Sequence, residues 1–350
     1  MLLSLPTEVI ERIIYLACDT VRTALRSTCT YLCKIATPIV FETLVIDITK
    51  SHFFNSHDRT SYFGTIVSNK TFTQYVRHLH LVSLKPPSRK RMGPLDWILF
   101  KRLREKSSKD LERLLVIAIP YLTSLQSILY DGFDKRFLEN SALWKQISTL
   151  PSVSSLSVHG WHGNRIPITN LPNLAKLNII GSDCLSSVAV LIANSPNLSS
   201  LGVYHCFHPA SLFPPSLLTL FCWYPSGTYS FLTELSLCGN FTLRRPEVPL
   251  LVPHLHHLRS LELCIDFIPP EFWASLQVEQ IFVRQLSLTI LKSEPVVFDY
   301  LCSYTGLESL FLCIRTGSRK AARRDVKRVN EKHGKTLVQQ TCELPGFSSV

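Results

Sequence analysis

The stretch LTELSL at residues 232–237, followed by LRSLEL at 258–263, decides the fold. The same phrase, Leu-x-x-Leu-x-Leu or a close variant, occurs at 76–81, 174–179, 198–203 and 307–312, with weaker versions at 122–129, 150–158, 217–220 and 283–288. From residue 156 onward the Leu-x-Leu pairs follow one another at steps of 17 to 26 residues. Such a period is typical of proteins built from one short structural unit repeated along the chain.

The spacing inside the phrase predicts a short β-strand. Successive side chains of a strand point to opposite faces, so the two leucines of Leu-x-Leu lie on the same face. Pro172-Asn173 and Pro196-Asn197 fit a turn before the strand, because proline interrupts the preceding segment and asparagine satisfies nearby backbone groups. A single unit leaves its leucines exposed, whereas stacked units bury them in one continuous core. We therefore predict stacked parallel strands joined by helices and turns.

The first forty residues carry a different, helical pattern. Pro6 fits the first turn of a helix, and Glu8 adds the acidic charge that a helix start favours. Apolar residues follow at helical spacing up to Ala17, and a second apolar stripe runs over 24–35 before Pro38 ends it. Helices this short bury too little area to be stable alone. Either a partner protein or the rest of this chain must cover them.

This stretch, residues 4–45, resembles an F-box. F-boxes open with Leu-Pro-x-Glu and an apolar helix, and Leu5, Pro6 and Glu8 match that opening. The chain departs from the family pattern at Thr28 in place of valine, and at Leu32 and Phe41 in place of two tryptophans. The resemblance implies docking to the small adaptor subunit of an SCF-type (cullin–RING) ubiquitin ligase. The residues that it places at or near the docking surface are Leu5, Pro6, Ile10, Ile13, Leu25 and Cys29.

The remaining chain resembles the irregular leucine-rich arrays that follow F-boxes in many fungal proteins. We therefore predict an α/β protein with a small N-terminal helical F-box-like module and an irregular, curved leucine-rich-repeat solenoid. The predicted boundaries are 1–45 for the module, 46–75 for a linker or first cap, 76–340 for the array and 341–350 for a tail. Within the array we expect a basic helical insertion at about 85–113 and a basic amphipathic helix at about 318–333.

Charge is concentrated in two segments of a chain whose net charge is +11. Residues 85–113 hold ten Lys or Arg against four Asp or Glu, which gives +6. Residues 315–335 hold nine against two, which gives +7, so the rest of the chain is close to neutral. Both segments fit solvated helical faces. A nuclear-import signal, a phosphate-binding patch and nucleic-acid binding are the alternatives.

Motifs that would indicate catalysis are weak or missing in the sequence. Gly334-Lys335 lacks the earlier glycine of a phosphate-binding loop, because Val329 occupies that position. The eleven cysteines form no Cys-x-x-Cys motif and fit reduced, packed thiols, so we predict no metal, no cofactor and no catalytic residue. No apolar stretch reaches membrane-spanning length, and Glu8 does not fit a signal peptide. We expect the protein in the cytoplasm or the nucleus.

In a leucine-rich array the residues between the leucines face the concave side. From this geometry, and from nearby aromatic residues, we predict target contacts at His159, Tyr204, Trp223, Cys238, Glu262 and Phe311. The predicted function is substrate recognition in an SCF-type ligase: the module binds the adaptor and thereby the cullin complex, and the array binds an unknown protein target. The alternative is a leucine-rich interaction scaffold outside any ligase, with the N-terminal helices as a structural cap.

Overall fold

The computed structural model describes residues 2–47, 70–82, 113, 115–131, 141–162, 171–182, 185–205, 214–292 and 294–343. The basic insertion expected at about 85–113 lies outside these residues apart from Arg113, and so does the tail from 344 onward. The chain divides into two compact units, Met1–Gly160 and Trp161–Val350.

The first unit combines N-terminal helices with parallel strands. Its helices are α1 Thr7–Leu16, α2 Asp19–Arg26, α3 Thr30–Val40, α4 Lys70–Thr73 and α5 Ser141–Ser148, with 3-10 turns at Leu2–Ser4 and Ile119–Tyr121. Its strands are β1 Thr43–Asp47, β2 His78–Val82, β3 Ser127–Asp131 and β4 Ser155–His162. The strands pair in sequence order, and every pair is parallel.

The second unit repeats a strand and a connecting helix. Its strands are β5 Lys176–Ser182, β6 Ser200–His205, β7 Glu234–Gly239, β8 Ser260–Cys264, β9 Gln285–Lys292, β10 Ser309–Thr316 and β11 Gln339–Glu343. Its α-helices are α6 Leu185–Ala193, α7 Val248–Leu251, α8 Pro270–Val278, α9 Pro295–Cys302 and α10 Arg319–His333. 3-10 helices lie at Leu217–Phe221, Arg245–Glu247 and Val252–Leu255. These strands also pair in parallel and in sequence order.

Alternation of buried and half-exposed side chains builds the core. On β7, Leu235 and Leu237 are buried, and their register partners Leu261 and Leu263 on β8 are buried beside them. Because the partners stack in register, each leucine covers its neighbour from water, which is the main source of stability in a repeat of this kind. The predicted α/β class, with parallel Leu-x-Leu strands joined by helices, is confirmed for these strands.

A shared carbonyl fixes the start of most strands. The carbonyl of Thr233, one residue before β7, accepts the N–H groups of Arg259 (2.8 Å) and Ser260 (2.9 Å) at the start of β8. The carbonyl of Arg259 accepts those of Arg284 (2.7 Å) and Gln285 (3.0 Å) in the same way. The same arrangement occurs at the carbonyls of Glu42, Arg77, Gln126, Ala175, Ser199, Arg284 and Glu308. These bonds set the register from one strand to the next.

One weak member of the repeat is not a strand. Residues 217–220 were predicted as a Leu-x-Leu strand, but Leu217–Phe221 forms a 3-10 helix. Pro214 and Pro215 lack the N–H groups that a strand would donate, and the Ser216 hydroxyl accepts the N–H of Leu218 at 3.1 Å, which favours a helical turn. The prediction was wrong here, because periodicity alone does not separate short apolar segments of the two kinds.

Strands also cross two of the predicted boundaries, the end of the helical module and the end of the array. β1, Thr43–Asp47, crosses the boundary at 45, and β11, Gln339–Glu343, crosses the one at 340. β1 buries Ile46 and pairs with β2 in register. β11 contains no leucine and its side chains are half-buried or exposed, so backbone pairing with β10 rather than an apolar pattern defines it.

The segment predicted as a C-terminal basic helix is α10. The Ser318 hydroxyl accepts the N–H of Ala321 at 3.4 Å and caps its start. Ala322 and Val329 are buried on its inner face, while Lys320, Arg323, Arg324, Lys327, Arg328 and Lys332 are exposed. At its end, buried His333 accepts the N–H of Leu307 at Nδ1 (3.2 Å), so Nε2 carries the proton and donates to the carbonyl of Leu301 (2.7 Å). The helix is thereby tied to the repeat before it.

Replacing Gly239 by alanine should destabilise the second unit. Gly239 has φ of +119°, and a Cβ atom would lie 2.1 Å from the carbonyl oxygen of His205. Gly306→Ala is the matched control, because Gly306 has φ of +106° with open space around it. We expect a loss of about 1–2 kcal/mol from backbone strain at Gly306 and a larger loss at Gly239 in urea unfolding. Equal losses would show that the close approach to His205 is unimportant.

His254 should make stability depend on pH. It is buried against the Phe221 ring (4.7 Å between centroids), its Nδ1 accepts the N–H of Ser230 at 3.3 Å, and burial lowers its pKa. The unfolded chain binds a proton below a pH of about 6.5, whereas the folded chain resists it. The free energy of unfolding is therefore at its highest above that pH. It should fall as the pH drops below that value, by up to about 1.4 kcal/mol per pH unit.

Urea unfolding at pH 7.5 and 5.5 checks this dependence. His254→Gln keeps an acceptor but cannot be protonated, so its free energy of unfolding should change less between the two pH values than that of the parent chain. An equal change in both proteins would assign the pH dependence to other groups.

Candidate functional site

The N-terminal helices form a small module with a core of its own. Ile10 and Ile14 of α1 pack against Leu32 and Ala36 of α3, and all four are buried. The pairs are four residues apart on each helix, so each pair lies on one helix face. The module is therefore closed by its own α1–α3 contact.

A second apolar face of α1 is exposed. Leu5, Val9, Ile13 and Leu16 are 38%, 42%, 38% and 70% exposed. Val9, Ile13 and Leu16 are spaced four and three residues apart, so they form one stripe along the helix, and Leu5 lies just before it. We call these four residues the docking stripe. Large apolar side chains grouped on one exposed face are typical of interaction sites.

The structure divides the residues that the F-box resemblance placed at the docking surface. Leu5, Pro6 and Ile13 are exposed. Ile10 is fully buried, so it lies beneath the exposed face rather than on it, and its part in docking stays a prediction. Positions 10 and 14 lie on the face of α1 that packs on α3, roughly 100° around the helix from the face of positions 9, 13 and 16. Sequence reasoning grouped the two stripes together and omitted Leu16, although the spacing of 9, 13 and 16 could have separated them.

Leu25 and Cys29 lie behind the stripe rather than on it. Both are half-buried and pack against the core of the module. The Cys29 sulfur accepts the N–H of Leu32 at 3.5 Å and caps the start of α3. Their observed contacts are structural: they hold α2 and α3 against α1.

Two arginines fix the position of α2. Arg22 donates from Nε to the carbonyl of Ile14 (3.1 Å) and from a terminal nitrogen to the carbonyl of Tyr15, so it satisfies carbonyls at the end of α1. The guanidinium of Arg26 lies 4.9 Å from the centre of the Phe41 ring, a cation–π contact that ties α2 to the end of α3. Together these contacts hold the docking stripe on a defined surface.

A groove of about 680 Å³ lies beside a third face of α1. Its lining includes Glu8, Arg12, Tyr15, Lys34, Tyr75 and Arg77. Sequence reasoning did not find it, because it joins α1 and α3 to residues near the start of β2. Acidic and basic side chains are mixed along it, so its charge does not select one class of ligand.

The half-exposed residues of the second unit form the other candidate surface. On β5–β10 they lie in two rows across the strands. The lower row is Asn178, Gly202, Ser236, Glu262, Ser287 and Phe311, and the upper row is Ile180, Tyr204, Cys238, Cys264, Thr289 and Cys313; all of these are half-exposed except Gly202, which is buried. We call these two rows the open strand face. The register brings four of the predicted target-binding residues onto it: Tyr204, Cys238, Glu262 and Phe311.

The other two predicted target-binding residues lie elsewhere. His159 is on β4 of the first unit, where it pairs in register with Asp131. Trp223 is not on a strand: it follows the 3-10 helix Leu217–Phe221 and is exposed before β7 begins. It was predicted as an aromatic residue near the strand residues, and its contact with a target stays a prediction.

Two cysteines of the open strand face, Cys238 and Cys313, are protonated thiols near neutral pH. Burial raises the pKa of Cys238 to about 12, with further contributions from its hydrogen bond to Cys264 and from the negative charge of Glu262. Burial also raises the pKa of Cys313. Because the thiolate is the reactive form, these cysteines are poor nucleophiles near neutral pH. Every cysteine in the described residues is a free thiol.

Neither a metal site nor a membrane span is found where the structure describes the chain. Within those residues, no three His, Cys, Asp or Glu side chains come together in a way that could hold a metal ion. Over the same residues, no helix is both long enough and apolar enough to cross a bilayer.

Known proteins resemble this chain only distantly. No family model matches it, and no curated protein matches it. Among solved structures, the complex of Rad7 and Elc1 in yeast is 13% identical, with a TM-score of 0.42, and covers 94% of this chain and 87% of that chain. A Bacteroides fragilis protein is 12% identical, with a TM-score of 0.39, and covers 70% and 69%. These likenesses assign no family, so function is inferred from the two surfaces.

The two stripes of α1 should respond differently to mutation. Ile10→Ala removes a buried side chain and should cost about 2–5 kcal/mol. Ile13→Ala trims an exposed one and should cost less than about 1 kcal/mol, since alanine also favours the helix. Urea unfolding combined with hydrogen exchange of α1–α3 measures both changes. Equal destabilisation by the two variants would contradict the assignment of Ile13 to an exposed face.

Proposed function

We propose that this chain is the substrate-recognition subunit of an SCF-type cullin–RING ubiquitin ligase, with the helical module binding the small adaptor subunit. The observation that carries the proposal is the docking stripe. Its four apolar side chains are exposed, although the module already has a filled core around Ile10 and Leu32. An apolar face that its own module does not use is best explained by a partner that covers it.

The proposed contact with the adaptor consists of Leu5, Pro6, Val9, Ile13 and Leu16. Fully burying a Val, Leu or Ile side chain contributes about 1.5–3 kcal/mol, and these side chains, already partly covered, would each contribute a fraction of that. Leu16 is the most exposed and would gain the most. Ile10, Leu25 and Cys29 would act indirectly, by holding α1 in place.

The same observation separates this proposal from a structural cap. The apolar faces of a plain cap would be covered within its own chain. In this unit the buried pair on α1 packs on α3, and Val9, Ile13 and Leu16 remain exposed. The scaffold alternative, in which the helices are only a structural cap, therefore does not explain why the docking stripe is exposed.

The open strand face would hold the target. In this proposal the chain makes and breaks no covalent bond; it raises the local concentration of the target beside the ubiquitin-charged enzyme of the ligase. The protonated thiols of Cys238 and Cys313 fit a binding surface better than a reactive centre. Residence in the cytoplasm or the nucleus follows from the proposed ligase and stays a prediction.

Charging the docking stripe should abolish binding to the adaptor. In the double variant Val9→Asp, Ile13→Asp, two carboxylates would have to be buried at the interface, so we expect co-purification with the adaptor to fall at least tenfold. The matched control is Val278→Asp, which places the same charge on an exposed valine at the end of α8. Thermal unfolding of all variants checks that they fold.

The comparison is made by co-expressing each chain with the adaptor and quantifying the complex. Full retention of the adaptor by the double variant would exclude the docking stripe as the ligase contact. The scaffold outside any ligase would then be the better explanation of the chain.

A further inference from the structure

Charge is distributed unevenly on the open strand face. Where the structure describes β5–β10, the lower and upper rows contain one charged side chain, Glu262, and it lies near their middle. Its register neighbours on the flanking strands are Ser236 and Ser287. A half-buried carboxylate among neutral groups loses part of its hydration without gaining a counter-charge.

Nearby basic residues do not neutralise Glu262. Arg315, further along β10, lies 4.0 Å from Asp266 and forms an ion pair with it. Arg284, just before β9, forms an ion pair with Glu308, just before β10, at 3.2 Å. Among the described residues, Glu262 has no ion pair, and its hydrogen bond comes from the hydroxyl of Ser236.

Two hydroxyl groups, joined by hydrogen bonds in series, orient the carboxylate of Glu262. The Ser236 oxygen contacts both Glu262 Oε2 and the Tyr204 hydroxyl, the latter at 3.0 Å. A serine hydroxyl has one hydrogen, and the carboxylate can only accept, so Ser236 donates to Glu262 and Tyr204 donates to Ser236. These two hydrogen bonds hold Oε2 in place. Among the described residues, no group donates a hydrogen bond to Oε1.

Aromatic rings lie on both sides of this carboxylate. Tyr204 is two strands away in one direction, and Phe311 is two strands away in the other. At a strand separation of about 4.8 Å and a rise of about 3.3 Å per residue, the Cα of Phe311 lies roughly 10 Å from that of Glu262 and the Cα of Tyr204 roughly 12 Å. A flat cation seated on the carboxylate could therefore extend over either ring, which adds a cation–π attraction.

These features select one chemical class of ligand. An anion would meet only the carboxylate in the two rows, and a metal ion would find too few ligands. A guanidinium donates to a carboxylate through a planar fork and stacks on aromatic rings, whereas an ammonium is a compact, strongly hydrated charge. The oriented, unpaired carboxylate between two rings fits the guanidinium better.

We propose that Glu262 is the specificity-determining residue of the open strand face and binds an arginine side chain of the target. The inference rests on the proposed function in one respect, since it takes this face as the target-binding surface. Ser236 acts as a positioning residue, because it holds the carboxylate rather than touches the guanidinium, whereas Tyr204 supports Ser236 through its hydroxyl and offers its ring to the bound cation. Because these side chains are already held in place before binding, less conformational entropy is lost when the contact forms.

The test uses a random peptide library displayed on phage, selected in parallel against the full chain and against Glu262→Gln. Glutamine still accepts the Ser236 hydrogen bond but carries no charge. Glu234→Gln is the matched control, because Glu234 lies on the preceding strand at its exposed start. We expect arginine-containing peptides to be enriched by the parent chain and by Glu234→Gln, and not by Glu262→Gln.

A double-mutant cycle on the most enriched peptide then locates the contact. Synthetic peptide with arginine, or with neutral citrulline in its place, is titrated against the parent chain and Glu262→Gln. Each single change should weaken binding at least tenfold, and the two together should weaken it little further. Enrichment without arginine, no difference in enrichment from Glu262→Gln, or independent effects of the two changes would overturn the proposal.

Adaptor binding separates failure of this inference from failure of the proposed function. Glu262→Gln should retain the adaptor fully, and the docking-stripe variant Val9→Asp, Ile13→Asp should retain the peptide. Loss of the arginine preference with normal adaptor binding would overturn the role of Glu262 alone.

Discussion

A carbonyl oxygen one residue before most of the strands accepts two backbone N–H groups from the start of the next strand. At Thr233 both bonds are under 3 Å, and the arrangement recurs within both units. These bonds matter because side chains alternate along a strand, so a slip of one residue would turn every leucine outward and every polar residue inward. The buried core and the order of residues on the open strand face are both consequences of this one register.

The strands could be predicted from the sequence where apolar alternation and the turn before it agree. Leu235 and Leu237, and the corresponding pairs on β8 and β10, follow that pattern directly. The pattern fails at Leu217, where a local serine cap and two prolines override it. The pattern does not predict β11, whose polar residues form a strand through backbone pairing with β10. Pairing between distant segments is not encoded in the periodicity of either one.

The candidate surfaces were predictable to different degrees. Helical spacing placed Ile10 and Ile13 on one short helix, but only the packing of α3 shows which of them is covered. The positions of Tyr204 and Glu262 on one face followed from the repeat. The missing counter-charge of Glu262 did not, because it depends on Arg315 being engaged by Asp266. Sequence identifies which residues share a face, and three-dimensional pairing decides which remain available.

The polar character of β11 bears on how the chain avoids self-association. In the strand order β11 comes last, and over the described residues its side chains, Gln339 through Glu343, are polar or only half-buried. An edge strand with apolar side chains is a template for another chain, which leads to aggregation or domain exchange. A last strand that carries two amides, a hydroxyl, a half-buried thiol and a carboxylate can still pair its backbone with β10, while it offers little exposed apolar surface to a neighbouring molecule.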